Sequence, residues 1–145
     1  MFRFISFVIV CSSSAASWAA GPDVCAIVPV TAVAAIVHQS MTESRPDVSE
    51  DAHAYGCSYG AAAPHTSISV IKPGGTAAFE ATKRRLSKAV AVAGIGDKAV
   101  FDAGSGLIVL FGDAAVSAYV SPAAGSSEQR LAMEKQLAMA AKSRL

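Results

Sequence analysis

Apolar residues recur along this chain with two spacings, and each change of spacing marks a change of element. Residues 30–39, "VTAVAAIVHQ", set Val30, Val33, Ala34 and Val37 on one helical stripe, with Pro29 at the entry. This helix is almost wholly apolar and is expected to be buried. Residues 40–52 are polar and broken by Pro46, which reads as an exposed loop. Residues 53–60 and 66–72 then read as two strands. In the second, Ile68 and Val70 alternate with Ser67, Ser69 and Ile71, and residues 61–64 form the connection.

Two glycines, Gly74 and Gly75, close that strand, and Thr76 offers an N-cap for a second helix over residues 77–89. Phe79 and Leu86 can line its inner face. The glycine-containing link at residues 93–97 leads to three more strands, over residues 98–102, 107–111 and 115–120. The middle one is apolar on both faces, as a central strand should be. Ser126 and Gln129 make a capping box for a last helix. There Leu131, Ala138 and Leu145 share a stripe with Glu134 beside it, and Leu137 and Ala141 widen the apolar face. The order α-β-β-α-β-β-β-α predicts an α+β fold, an antiparallel sheet of about five strands with helices packed on one face.

Composition changes the picture at the beginning of the chain. Arg3, an apolar run over residues 4–10 and small residues over 12–19 read as an export signal, with cleavage after Ala19. The apolar run is less than half of the roughly 20 residues that a bilayer span needs, so no transmembrane anchor is expected. Lipid attachment at Cys11 is disfavoured, because Val10 stands where a lipobox wants a small residue. A single domain over residues 20–145 remains, and the expected site of action is the periplasm or the extracellular space.

Losing the signal removes Arg3 and leaves the basic residues equal in number to the 11 acidic ones. A neutral chain gives no general attraction to nucleic acid. Cys25 and Cys57 are then the two remaining cysteines, and in an oxidising compartment they are expected to bond. A reactive thiol or a metal ligand is the alternative.

Three motifs together carry a resemblance: Cys25-Ala26-Ile27-Val28 before the first helix, Cys57-Ser58-Tyr59 in the first strand, and Gly94-Ile95-Gly96-Asp97-Lys98-Ala99 before a hairpin. With them the chain resembles the small exported and lipoprotein domains of bacteria that are catalogued mainly as domains of unknown function. The resemblance implies a Cys25–Cys57 bond and an α+β sandwich-like fold. It implies no chemistry.

Gly56-Cys57-Ser58-Tyr59-Gly60 spells G-x-S-x-G, the nucleophile elbow of serine hydrolases, and His65 follows it. An elbow needs a strand, a strained turn at the serine and then a helix. Here Pro64 and a strand follow, so the elbow is not expected, and Ser58 should face away from Cys57 and Tyr59. Gly94 and Gly96 come after a helix and before a strand, which suits a turn and not a phosphate loop. His38, His53 and His65 form no paired metal motif, and Glu43, Asp47, Glu50 and Asp51 crowd one polar loop. No cofactor, metal site or catalytic residue is expected.

One charge cluster remains. Lys83, Arg84, Arg85 and Lys88 form a basic stretch on the second helix, either a solvated face or a docking patch for an anionic partner. The expected function is a non-enzymatic binding module of the bacterial envelope, an inhibitor, immunity or accessory protein acting on another envelope or extracellular protein. The alternatives are a small serine hydrolase using Ser58 and a structural adaptor of an envelope complex.

Overall fold

A computed structural model describes residues 21–60 and 65–145. The expected export signal with Cys11, and the connection at residues 61–64, lie outside the described residues. The fold is α+β, built on a seven-stranded antiparallel sheet in the order β1-β2-β3-β7-β6-β5-β4. The strands are β1 Ser44–Ser49, β2 Ala54–Tyr59, β3 Thr66–Ile71, β4 Val90–Ala91, β5 Lys98–Asp102, β6 Gly106–Phe111 and β7 Ala114–Val120. The helices are α1 Val24–Ile27, α2 Val30–Val37, α3 Gly75–Arg85 and α4 Ser127–Lys142. Two meanders, β1 to β3 and β4 to β7, join where β3 pairs with β7.

The sheet has seven strands where five were expected, because both edges were missed. β1 falls in the segment read as a loop, and its six residues are all exposed. Antiparallel partners alternate between exchanging two hydrogen bonds and exchanging none. Gly60 N–H donates to the Glu43 carbonyl, so in this register Arg45, Asp47 and Ser49 turn their backbone toward β2. Ser44, Pro46 and Val48 turn theirs outward. Pro46 therefore sits where its missing N–H would have faced solvent, the place a strand tolerates proline. At the other edge β4 is only two residues long.

The helices do not all lie on one face. Leu107 and Val109 of β6 join the larger core with Val24, Val33, Tyr59, Leu137 and Ala141, under α1, α2 and α4. Ile108 and Leu110 point the other way and meet Phe79 of α3, together with Val100 and Ala115. A central strand apolar on both faces needs cover on both, and α3 supplies the second layer while crossing from β3 toward β4.

Three ties hold the first layer. Cys25 and Cys57 are bonded, closing α1 onto β2 across 32 residues. Such a loop closure stabilises the fold by about 3–4 kcal/mol in the chain-entropy model. Tyr59 is fully buried on the same face as Cys57, and its hydroxyl donates to the Val28 carbonyl at 2.7 Å, where α1 ends. Ser126 and Gln129 form the capping box expected at the start of α4, the side chain of each bonded to the backbone of the other.

α3 starts two residues earlier than Thr76 as N-cap would allow. Gly74 is its N-cap, in a left-handed conformation (φ 91°), and Gly75 N–H donates to the Asp113 carbonyl at 3.0 Å. A Cβ on Gly75 would run into the backbone of residues 113–115, so glycine is needed for this approach. The helix ends at Arg85, and Leu86 leaves it with extended backbone.

Candidate binding face

α3 lies over β6 and β7, reaching Val100 of β5 and the Ile71 end of β3, and leaves the outer face of β1, β2 and the rest of β3 open. The open half forms a trough of about 200 Å³, lined by Asp47 and Ser49 of β1, Ser58 of β2, Ser67 and Ser69 of β3, and His65 before β3. Cross-strand register arranges these side chains in rows. Arg45, Ser58, Ser67 and Tyr119 stand opposite one another in sequence, and Asp47, Gly56, Ser69 and Ser117 form the next row. Gly56 contributes no side chain, so the centre of the second row is bare backbone. The His65 ring leans on the Tyr119 ring at 5.3 Å between centroids, tilted by 40°.

The G-x-S-x-G segment thus lies within a regular strand. Ser58 pairs in the ladder with Arg45 on one side and Ser67 on the other. Among the described residues the non-glycine positions with positive φ are His38 and His53, so no strained turn occurs at Ser58. The fold does gather Ser58, His65 and Asp47 around one trough, yet among the described residues no hydrogen bond joins Ser58 to His65. Spacing alone could not reveal this gathering, because β1 was not expected and Asp47 was read as a loop residue.

The basic cluster is divided by the helix end. Lys83, Arg84 and Arg85 occupy the last turn of α3 and are exposed. There their charges complement the negative end of the helix dipole. Lys88 lies in the bend beyond the helix, so the expected four-residue helical patch is three residues and a neighbour. Glu80, one turn back, pairs with Lys98 at 3.1 Å, and that hydrogen bond and the nearby cations hold its carboxyl below the usual value.

Of the other sequence candidates, His38 and His53 both take left-handed backbone, closing α2 and a short 3-10 turn over Glu50–Ala52. No group of three metal-ligating side chains comes together among the described residues. Glu43, Asp47, Glu50 and Asp51 are all exposed. The Gly94–Asp97 segment is a turn, in which Gly94 and Gly96 have positive φ and the Asp97 carboxylate accepts from Gly112 N–H at 2.6 Å. It borders a cavity of about 520 Å³ with Lys72, Phe111, Asp113 and Lys142. The polar groups of that corner are already engaged: Lys72 donates to the Leu145 carbonyl at 2.8 Å, Asp113 accepts from Gly74 N–H, and Lys142 lies 5.5 Å above the Phe111 ring.

Arg130 has no place in the expected face of the last helix, and Glu134 is expected only beside its apolar stripe. Both are buried on α4, where an apolar stripe was expected. Arg130 Nη1 donates to the carbonyls of Ala103 (3.0 Å) and Val120 (3.4 Å), and Glu134 Oε1 accepts from Val120 N–H (2.9 Å). Among the described residues Glu134 Oε2 and Arg130 Nε have no hydrogen-bond partner. The spacing of the two residues, one helical turn apart, was the available signal. These contacts hold β7 to α4 and do not open onto the trough. No family model, curated protein or solved structure matches this chain.

Proposed function

We propose that this protein is a non-enzymatic binding module of the bacterial cell envelope, exported and disulfide-stapled, whose ligand face is the open half of the outer sheet surface. The observation that carries the reading is the asymmetry of that surface. One half is packed under α3, and the other displays a hydroxyl-lined trough on a rigid ladder. Side chains borne on a paired ladder start from a fixed backbone, which lowers the ordering cost of binding. The bonded Cys25–Cys57 pair fits an oxidising compartment and supports export. No described helix is long and apolar enough to cross a membrane.

The test is a crosslinking pull-down from native envelope with three forms of the protein. Ser58→Val with Ser69→Val alters the trough, and Arg84→Glu with Arg85→Glu reverses the basic end of α3. Capture lost only with the trough variant supports the reading. Capture lost only with the charge reversal moves the docking site to α3.

A small hydrolase using Ser58 is the second reading, favoured by the presence of His65 and Asp47 around the same trough. Labelling by a fluorophosphonate probe, abolished in Ser58→Ala with folding intact, would establish it. Absence of labelling removes it.

A further inference from the structure

We propose that the trough binds an uncharged saccharide, one sugar ring at a time, as part of a glycan lying across the β1–β2–β3 surface. This rests on the open half of the sheet being the ligand face, and the chemistry of the lining narrows the ligand. Ser58, Ser67 and Ser69 each present a hydroxyl that both donates and accepts. A sugar hydroxyl has the same dual character, so either orientation of each bond can be satisfied.

Other ligand classes fit less well. Arg45, at the rim beside Ser58, is exposed and paired with Glu43 at 3.8 Å. Among the described residues no lysine or arginine lines the trough itself, so an anion seated there has no direct counter-charge. Among the described residues Asp47 is its one carboxylate, too little for a metal ion. An apolar ligand would bury serine hydroxyls without partners, which costs about 1–3 kcal/mol each. A peptide cannot add as a strand within the trough, because β2 and β3 are already paired on both sides.

Size and flanking groups agree with a sugar. About 200 Å³ is below the ~300–1,000 Å³ of pockets for drug-sized molecules. Gly56 leaves the floor low between Asp47 and Ser69, giving depth where the ring would sit. Beside it the exposed His65 and the half-buried Tyr119 supply aromatic surface for the C–H face of a ring.

The experiment is an NMR titration of the folded, oxidised protein with chitotriose, maltotriose and mannotriose. We expect backbone-amide shifts at Ser58, Ser67 and Ser69 with at least one of them, at a Kd on the order of 1 mM. Ser69→Val, a substitution suited to a strand, should keep the spectrum folded and weaken binding about tenfold or more. Tyr119→Ala should weaken it as well. Absence of shifts in the trough with all three sugars, or shifts confined to α3, overturns the saccharide. If the trough variant nonetheless loses an envelope protein in the pull-down, the face stands and the ligand class alone is wrong.

Discussion

The Glu134 carboxylate accepts a 2.9 Å hydrogen bond from the N–H of Val120, while Arg130, one turn earlier on α4, donates to the carbonyl of that same residue. The arrangement has a topological cause. The β6–β7 ladder stops at Leu107 opposite Ala118, so Val120 at the end of β7 has no strand partner on that side. Two buried side chains of α4 stand in for the missing strand. A buried backbone group left unpaired would cost about 1–3 kcal/mol, enough to account for charged residues in an otherwise apolar layer.

Stability should therefore depend on pH through Glu134. Burial pushes its carboxyl up to about 7, against the opposing effects of the Val120 hydrogen bond, the charge of Arg130 and the nearby Leu107 backbone. The folded state then holds a proton that the unfolded chain releases near 4.5. This contribution is whole below about pH 4.5 and is lost as pH rises through 7. Thermal melts across that window should show a falling Tm, and Glu134→Gln should flatten the slope. Glu134→Ala leaves Val120 N–H unpaired and should cost about 1–3 kcal/mol at any pH.

Tyr59 and Cys57 tie the same helix to the same strand, so their loss should not add. Tyr59→Phe orphans the Val28 carbonyl and should cost about 1–2 kcal/mol in denaturant unfolding. Removal of the disulfide by Cys25→Ala with Cys57→Ala should cost about 3–4 kcal/mol. In the combined variant the Tyr59 contribution should shrink, because α1 is then free to leave. Two free thiols counted in the oxidised protein would contradict the bond itself.

Pro46 should act as a guard on the β1 edge. Its replacement by threonine restores an outward N–H between those of Ser44 and Val48 and completes an exposed row of donors. Size-exclusion chromatography with light scattering should show concentration-dependent association of Pro46→Thr that the unaltered protein lacks. A variant that stays as it was at all concentrations would show that the edge is protected by other means.

Gly96→Ala probes the turn reading of the Gly94–Asp97 segment. Its φ of 62° disfavours any side chain, and a Cβ there would press on Val109 and the Leu110 carbonyl. The substitution should destabilise by more than about 1 kcal/mol. A loss of ligand binding with stability unchanged would instead point to a functional loop.

Much of the fold could be read from local pattern. Strand β5 falls at residues 98–102 as expected, and β6 and β7 each begin only one residue earlier. There, period-two alternation and glycine turns act over a few residues. The helices on two faces were also within reach, since the Leu107–Leu110 run already demanded cover on both sides. β1 was not legible, because Pro46 and four acidic residues mark a loop in any local reading. Only the row of partners in β2 makes a strand of it. The binding face shares that obscurity: Asp47, Ser58, His65 and Ser69 come from three segments and meet through register alone.

The sequence by itself determined the α+β class and the strand character of Ser58, which follow from composition and from contacts a few residues apart, and it pointed to the Cys25–Cys57 pairing once Cys11 is set aside. Tertiary structure decided the number of strands, the side on which α3 lies, the burial of Arg130 and Glu134, and which half of the sheet stays open. These depend on which backbone groups find partners far along the chain, and no local pattern records where a ladder runs out.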